Sequence, residues 1–213
     1  MSEIIIVGAG GFGREVYEWI QNSSLSGDNN YVKGFLDDNK HALDKFSIKK
    51  KVLSKIADYN ASPKDKFIIA IGDINLRKKC IEKLRVKKSN FLKLIHSSAI
   101  VSSNAHIRDG TIICPNVIVS PNVYIDDFTI LNFNSSVAHD CKLGKYSTIS
   151  PYATMNGFSK IEDEVLLSTH STLTLGVNVG AKSRISANSV AIKDVPSNSL
   201  VLGVPGKIYK NIY

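Results

Sequence analysis

Residues 113–142 divide into five hexads, ICPNVI, VSPNVY, IDDFTI, LNFNSS and VAHDCK, and each hexad begins with an aliphatic residue. The pattern continues in both directions, so that aliphatic residues stand six apart at sixteen successive positions from Ile95 to Ile185. Four residues after each one comes a small or short-branched residue, as at Val117 and Cys141. A helix needs apolar spacings of three and four, and a simple strand needs two, so this period fits neither.

A period of six is typical of a parallel β-helix, in which each hexad contributes one short strand and one corner. The aliphatic side chain fills the interior, and the small one fits where the chain turns tightly inward. Three hexads close one triangular coil, so the sixteen hexads predict about five coils. At ~4.8 Å between stacked strands, the prism is roughly 25 Å tall. Each coil buries its apolar face only by stacking on its neighbours.

The segment before the repeat is predicted to be a small α/β domain. Ile4–Val7 indicate a buried strand, Gly8-x-Gly10-x-x-Gly13 follows, and a helix is expected from Arg14 to Gln21. This strand, glycine turn and helix are typical of nucleotide-binding domains. Three further strands are predicted, and a basic helix that ends near Lys88 separates the last two; these strands are Val32–Leu36, Phe67–Ile71 and Phe91–Ile95.

The predicted fold class is therefore α/β plus β. A Rossmann-like parallel-sheet domain is expected at residues 1–94, and a β-helix with a C-terminal tail at residues 95–213. The glycines would let backbone N–H groups approach a phosphate at the helix N-terminus. Asp37 lies near the position of a ribose-binding acid, but about 90 residues make only half a dinucleotide fold. The alternatives are NAD, a mononucleotide or nucleotide sugar, and a purely structural cap; the second is favoured.

The amino-acid composition indicates the class of protein and its cellular compartment. Of the 213 residues, 43% are hydrophobic and 22% charged, and no apolar run approaches the ~20 residues of a membrane span. The first residues show no signal-peptide pattern, and three cysteines without a CxxC motif suit a reducing cytoplasm. The net charge of +8 is concentrated before residue 94. We interpret it as a solvated basic face, because the aromatic residues of a single-strand nucleic-acid binder are missing nearby.

Of the five histidines in the chain, His139 is the candidate for a catalytic base. It stands two residues past the interior Val137, so it should face outward, and Asp140 follows it. Histidine is the natural base near neutral pH, although these residues alone favour an ordinary exposed histidine. Cys141 occupies an inward slot and is expected to be core rather than a nucleophile. His106, His139 and His170 occupy different places in their hexads, so no metal site is predicted.

The order of segments along the chain resembles that of a known enzyme family. An α/β domain, IHSSA from Ile95, the hexads and GVPGK at Gly203–Lys207 resemble the family of sialic acid O-acetyltransferases and bacillosamine-type sugar N-acetyltransferases. This family belongs to the hexapeptide-repeat acyltransferase superfamily. The resemblance implies left-handed coils, a homotrimer, and acetyl-CoA as co-substrate in a groove between adjacent prisms. It implies N-acetylation of a UDP- or dTDP-linked 4-amino-deoxysugar for surface glycan synthesis. The alternatives are an O-acetyltransferase acting on sialic acid or another sugar, and a non-catalytic β-helical binding module.

The resemblance also implies site residues. His139, in LNFNSSVAHDCKLG, would be the base, and Asp140 would raise its basicity or fix its tautomer. The substrate residues implied are Gly10, Gly11 and Phe12 at the phosphates, Asp37 and Asp38 at the base or ribose, Gly72, Asp73 and Arg77 in a second loop, and Asn132 at the sugar or base. The acetyl-CoA residues implied are Gly157, whose N–H would hold the thioester carbonyl, and Ala187 and Lys193 at the pantetheine and phosphates.

Two departures from the family pattern are visible. Thr148 stands where many members carry a second histidine, and residues 168–171 (STHS) replace a Gly-Ala-rich corner. The first bears on the contact to the acetyl carbonyl, and the second raises the question of a polar role for His170.

Overall fold

A computed structural model of the chain describes residues 2–21, 23, 25, 30–85 and 89–210. The chain divides into two compact units, Met1–Ser97 and Ser98–Tyr213.

The first unit is a parallel sheet with two helices, which confirms the Rossmann-like prediction. Its elements are β1 (Ser2–Val7), α1 (Gly11–Gln21), β2 (Asn30–Leu36), β3 (Val52–Ser54), β4 (Asp65–Ile69), α2 (Ile74–Arg85), β5 (Asn90–Phe91) and β6 (Leu94–Ile95). The strand order is β3-β2-β1-β4-β5, and every pair is parallel. Ile4–Val7 of the central strand are completely buried, as parallel strands covered on both faces require.

The glycine turn between β1 and α1 depends on a close approach. A Cβ at Gly13 would overlap the carbonyl oxygen of Gly8, so only glycine lets α1 begin this near the end of β1. The helix then buries Val16, Tyr17 and Ile20.

The structure differs from the predicted elements in three places. β3 was not predicted, because three residues with partly exposed side chains give no periodic signal. The predicted strand at Phe91–Ile95 is two short strands, β5 and β6. The helix α2 ends at Arg85, and the last part of the predicted helix, up to Lys88, lies outside the described residues.

The second unit is the predicted left-handed β-helix, built from two-residue strands on three faces. Face one holds β7 (Ile100–Val101), β10 (Ile118–Val119), β13 (Ser136–Val137), β16 (Thr154–Met155), β19 (Thr172–Leu173) and β22 (Val190–Ala191). Face two holds β8 (His106–Ile107), β11 (Tyr124–Ile125), β14 (Lys142–Leu143), β17 (Lys160–Ile161) and β20 (Asn178–Val179). Face three includes β9 (Ile112–Ile113), β12 (Ile130–Leu131), β15 (Thr148–Ile149), β18 (Leu166–Leu167) and β21 (Arg184–Ile185).

Each strand from β7 to β19 pairs in parallel with the strand eighteen residues later, for example Val119 with Val137 and Val137 with Met155. The sixteen strands β7–β22 therefore make just over five coils, as the sequence predicts. From Ile113 to Ile185 the sixth-residue aliphatic side chains are at most 3% exposed. The period of six thus reflects one inward side chain in every strand.

The corners explain the second series of small residues. From Ile107 to Ile185, the residue three past each interior position adopts a left-handed conformation, as Asn122 (φ 61°) and Asp140 (φ 61°) do, and Asn and Asp tolerate this region best among non-glycine residues. The next residue points inward, and its hydroxyl can bond the coil above: Ser147 donates to the carbonyl of Glu162 at 3.0 Å, and Ser159 to that of Thr174 at 3.0 Å. Small polar side chains therefore fit in the tube, and most of them find an acceptor there, although the buried hydroxyl of Ser171 has none among the described residues.

The tail forms β23 (Ser199–Leu202), which pairs in parallel with β21, and β24 (Lys207–Lys210), which pairs antiparallel with β23. Neither helix in the described part of the chain has the length and apolarity that crossing a bilayer would demand.

Candidate active site

A cavity of about 400 Å³ lies at the carboxyl ends of β1, β2 and β4. The central β1 lies between β2 and β4, so this is the point where the strand order reverses and where open α/β sheets bind ligands. Its lining residues are Gly8, Gly10, Gly11, Phe12, Asp37, Asp38, Ile56, Ala70, Ile71, Gly72, Asp73, Leu76 and Cys80. Glycine backbone, carboxylates and apolar side chains together suit a polar ligand that carries a flat ring.

Asp37 and Asp38 join the walls of this cavity. Asp37 Oδ2 accepts the N–H of Ala9 at 2.8 Å, which ties the glycine turn to the end of β2. Asp38 Oδ1 accepts the N–H of Ile56 at 3.2 Å. A carboxylate can accept about four hydrogen bonds, so both groups keep lone pairs that can accept from a ribose hydroxyl or a base N–H.

Arg77 supports the second loop from beneath. Sequence analysis expected it at the ligand, but the structure buries it to 1% exposure, and its Nη1 donates to the carbonyls of Ile71 (3.0 Å) and Gly72 (3.3 Å). Burial lowers the pKa of the guanidinium to about 10, so it stays charged at neutral pH. Asp73 Oδ1 accepts the N–H of Leu76 at 2.7 Å and caps α2. Arg77 therefore shapes Gly72 and Asp73 without lining the cavity itself.

In the second unit, His139 faces outward at the corner that follows β13, with its side chain 49% exposed. Its Nδ1 lies 2.8 Å from Asp140 Oδ2. A carboxylate only accepts hydrogen bonds, so Nδ1 carries the proton and Nε2 presents its lone pair. Asp140 Oδ1 also accepts from Asn122 Nδ2 at 3.1 Å. The bonds from His139 and then Asn122 lower the pKa of Asp140 below its ordinary 3.8.

Gly157 lies one coil above His139, and the imidazole leans over it. A Cβ at Gly157 would come within 2.7 Å of Cε1 and 2.8 Å of Nε2 of His139. Phe158 meets the same ring edge to face at 5.0 Å between centroids. Within the described residues the N–H of Gly157 donates to no protein acceptor, while its carbonyl accepts from Gly176 at 2.9 Å. Nε2 of His139 thus lies against the backbone of Gly157, a buried residue whose N–H has no protein acceptor among the described residues.

Comparison with known proteins shows the family to which the chain belongs. Residues 3–84 match the PglD N-terminal domain family. The chain is 30% identical over 214 aligned positions to the GDP-perosamine N-acetyltransferase of Escherichia coli O157:H7, covering 96% of this chain and 95% of that protein. The chain belongs to the nucleotide-sugar N-acetyltransferase family. It is also 32% identical over 117 residues, 53% of this chain and 51% of the relative, to the UDP-N-acetylbacillosamine N-acetyltransferase of Bacillus subtilis (strain 168).

Solved structures agree with this membership. PerB from Caulobacter crescentus, in complex with CoA and GDP-perosamine, superimposes with a TM-score of 0.87 at 25% identity over 98% of both chains. The acetyltransferase domain of PglB from Neisseria gonorrhoeae FA1090 gives a TM-score of 0.88 at 26% identity over 98% of this chain and all of that one. Members of this family are acetyl-CoA-dependent sugar N-acetyltransferases, as the resemblance implied.

The family residues expected around acetyl-CoA and the sugar fall on two edges of the prism. The His139 edge, which follows face one, carries His139, Gly157 and, three coils above His139, the exposed Lys193. The Ala187 edge, which precedes face one, carries the exposed Ala187 and the half-buried Asn132, whose Oδ1 accepts the N–H of Phe133 at 2.9 Å. In one chain, face one separates these two groups of residues.

The other polar residues considered in the sequence analysis, Cys141, His170 and Thr148, make structural contacts. Cys141 is fully buried, its Sγ donates to the carbonyl of Asn156 at 3.2 Å, and burial raises its pKa to about 11. His170 stacks on Tyr152 with ring centroids 4.7 Å apart, and Thr148 is buried on face three. No cluster of three His, Cys, Asp or Glu side chains suited to a metal ion occurs among the described residues.

Sequence reasoning did not identify several residues that the structure places at the two sites. Ile56, Leu76 and Cys80 line the cavity, and their apolar character gave no signal before the fold was known. Asn122 touches Asp140. The sequence could have predicted this contact, because Asn122 precedes Asp140 by one coil of eighteen residues.

Proposed function

We propose that this chain transfers the acetyl group of acetyl-CoA to the amino group of a nucleoside diphosphate-linked amino-deoxysugar. The observation that carries the proposal is the outward-facing His139, whose Nδ1 is held by Asp140 so that Nε2 is free to accept a proton. The relatives named for GDP-perosamine and UDP-N-acetylbacillosamine support the acceptor class.

The chemistry needs one base and one oxyanion donor. The amine nitrogen attacks the acetyl carbonyl carbon, and Nε2 of His139 removes the proton that the nitrogen loses. Asp140 stabilises the resulting imidazolium. The N–H of Gly157 donates to the developing oxyanion; when the tetrahedral intermediate collapses, the carbon–sulfur bond breaks, and the CoA sulfur leaves and takes the proton from His139.

We assign the substrate positions from the same geometry. The nucleotide occupies the cavity at β1, β2 and β4, where Gly10, Gly11 and Phe12 surround the phosphates, and Asp37 and Asp38 meet the ribose or base. The backbone of Gly72 and Asp73 forms the opposite wall. The thioester lies at Gly157, and the CoA arm follows the His139 edge toward Lys193, about 14 Å higher at ~4.8 Å per coil.

The division of the site residues between two edges supports the homotrimer that the family resemblance implies. Asn132 and Ala187 cannot join His139 within one prism, because face one separates them. If the Ala187 edge of a second copy meets the His139 edge of the first, one groove receives both sets of residues. We therefore propose a trimer with each site between two copies.

Three buried free cysteines suit a reducing cytoplasm as its compartment.

A direct assay tests the function. The purified protein is incubated with acetyl-CoA and, in separate reactions, GDP-, UDP- and dTDP-linked 4-amino sugars, the free amino sugars, and sialic acid. CoA release is followed with a thiol reagent, and the product is identified by mass spectrometry. N-acetylation of at least one nucleotide-linked amino sugar, well above that of the free sugar, is expected. Release of CoA only with sialic acid would replace the proposal by O-acetylation, and release with none would reject it.

A further inference from the structure

A chain of side-chain hydrogen bonds runs up the outside of the prism to His139. Ser102 Oγ donates to Asn104 Oδ1 at 2.8 Å, and Asn104 Nδ2 donates to Asn122 Oδ1 at 2.8 Å. Asn122 Nδ2 then donates to Asp140 Oδ1 at 3.1 Å, and Asp140 Oδ2 accepts from His139 Nδ1 at 2.8 Å. Asn104, Asn122 and Asp140 are spaced by eighteen residues, so they occupy the same corner of three successive coils.

The direction of this chain is set by its charged end. The Asp140 carboxylate can only accept, so Asn122 must turn its NH₂ group toward it and its carbonyl oxygen away. That oxygen in turn requires the NH₂ group of Asn104, whose own oxygen then faces Ser102. Aligned amide dipoles of this kind polarise one another and favour the charged carboxylate.

The corner geometry shows why Asp140 needs such a partner. Asp140 has a left-handed backbone at φ 61°, and its side chain is 35% exposed. An exposed carboxylate samples several rotamers, and only those that place Oδ2 at His139 keep Nδ1 protonated. The bond from Asn122 fixes the other oxygen, and with the bond from His139 it lowers the pKa of Asp140. The carboxylate is therefore held at both ends.

We propose that Asn122 is a positioning residue for the acetyl transfer: through Asp140 it holds the imidazole of His139 in the tautomer that leaves Nε2 free. The inference rests on the proposed function, because it assigns Asn122 a role at the same base. Asn104 extends the support by one coil, and its contribution is smaller because it acts through Asn122.

The test compares two substitutions with the same backbone cost. Asn122→Gly removes the amide at a left-handed corner that glycine adopts freely. Asn198→Gly makes the same change at φ 55°, on the edge between faces two and three, which carries none of the proposed site residues. We expect Asn122→Gly to lower kcat roughly tenfold, the loss of one charge-assisted hydrogen bond. The KM values for acetyl-CoA and the nucleotide sugar should stay within twofold, and Asn198→Gly should match the wild type. Equal losses in the two variants, or an unchanged kcat in Asn122→Gly, would overturn the proposal.

A double-mutant cycle separates positioning from a general structural effect. In an Asp140→Asn background, Asn122→Gly should cause little further loss of kcat, because the group through which it acts is already gone. Full additivity of the two losses would refute the route through Asp140.

A measurement without substrate separates this inference from the proposed function. Nitrogen-15 NMR of the ring nitrogens, assigned with a His139→Ala variant, should show His139 protonated at Nδ1 in the wild type. In Asn122→Gly a rising share of the Nε2–H form is expected. The same tautomer population in both proteins would refute the positioning role even if the enzyme acetylates its sugar. A shifted tautomer in a protein without activity would retain the hold of Asn122 on His139 through Asp140 and would reject the acetyl transfer that this hold is proposed to serve.

Discussion

Gly157→Ala should damage catalysis by displacing the base. The added Cβ would lie 2.7 Å from Cε1 and 2.8 Å from Nε2 of His139. Ordinary contact between such atoms is ~3.5 Å, so the imidazole must retreat by about 0.7 Å or rotate away from Asp140. A misplacement of about 1 Å in a reacting group can cost about 100-fold. We therefore expect kcat to fall roughly 10- to 100-fold, about 1.4–2.7 kcal/mol of barrier.

The assay is steady-state CoA release with both substrates varied, together with thermal unfolding. The KM for the nucleotide sugar should hardly change, because the cavity proposed to hold it lies at Asp37 and Gly72. The melting temperature should also hold, since the same corner position carries alanine at Ala181 and Ala187. A kcat within twofold of the wild type would refute the assignment of the base to this contact. An equal loss in a His139→Ala background would refute it as well, because no imidazole is left to displace.

The other predictions concern single residues of the two sites. His139→Ala should lower kcat about 10²–10⁴-fold in the CoA-release assay, without loss of the folded state by circular dichroism; wild-type turnover would remove it from the mechanism. Arg77→Met should cost roughly 1–3 kcal/mol of unfolding free energy by urea denaturation and weaken nucleotide diphosphate binding by calorimetry, because the carbonyls of Ile71 and Gly72 lose their donor; unchanged affinity would contradict its support of the loop. Because its pKa is lowered below 3.8, Asp140 should lose its charge, and with it the hold on His139, only as the pH falls below that value; a carbon-13 carboxyl titration with a midpoint above 4 would disagree. Lys193→Ala should raise the KM for acetyl-CoA about threefold to tenfold, with the KM for the nucleotide sugar unchanged; the reverse pattern would move the CoA arm off this edge.

The fold was readable from the sequence because its decisive signal is local and repeated. Every interior position from Ile113 to Ile185 follows from a count of six, and each is buried in the structure. The same count placed His139 on the outside and Cys141 on the inside, and both placements are observed. The glycine turn was equally local, since Gly8 and Gly13 make the close approach between β1 and α1.

What the sequence could not provide depends on packing between distant segments. Arg77 looked like a ligand-binding cation, but the side of α2 that faces inward is decided by the tertiary structure. Three residues at β3 show too little pattern to predict a strand. Asn132 and Lys193 lie on different edges of the prism. This placement could be recognised only after each strand had been assigned to a face, and the repeat length alone does not make that assignment.

The eighteen-residue coil sets the distance between His139, the proposed base, and Lys193, the proposed contact of the donor phosphates, as a whole number of coils. Duplicating residues 159–176 would insert one complete turn, leave every inward side chain in phase, and lift Lys193 away from His139 by about 4.8 Å. An insertion whose length is not a multiple of eighteen residues would move later residues to another edge or out of phase. Under the proposed binding mode, the distance from His139 to the phosphate end of the donor can therefore change only in steps of one whole coil.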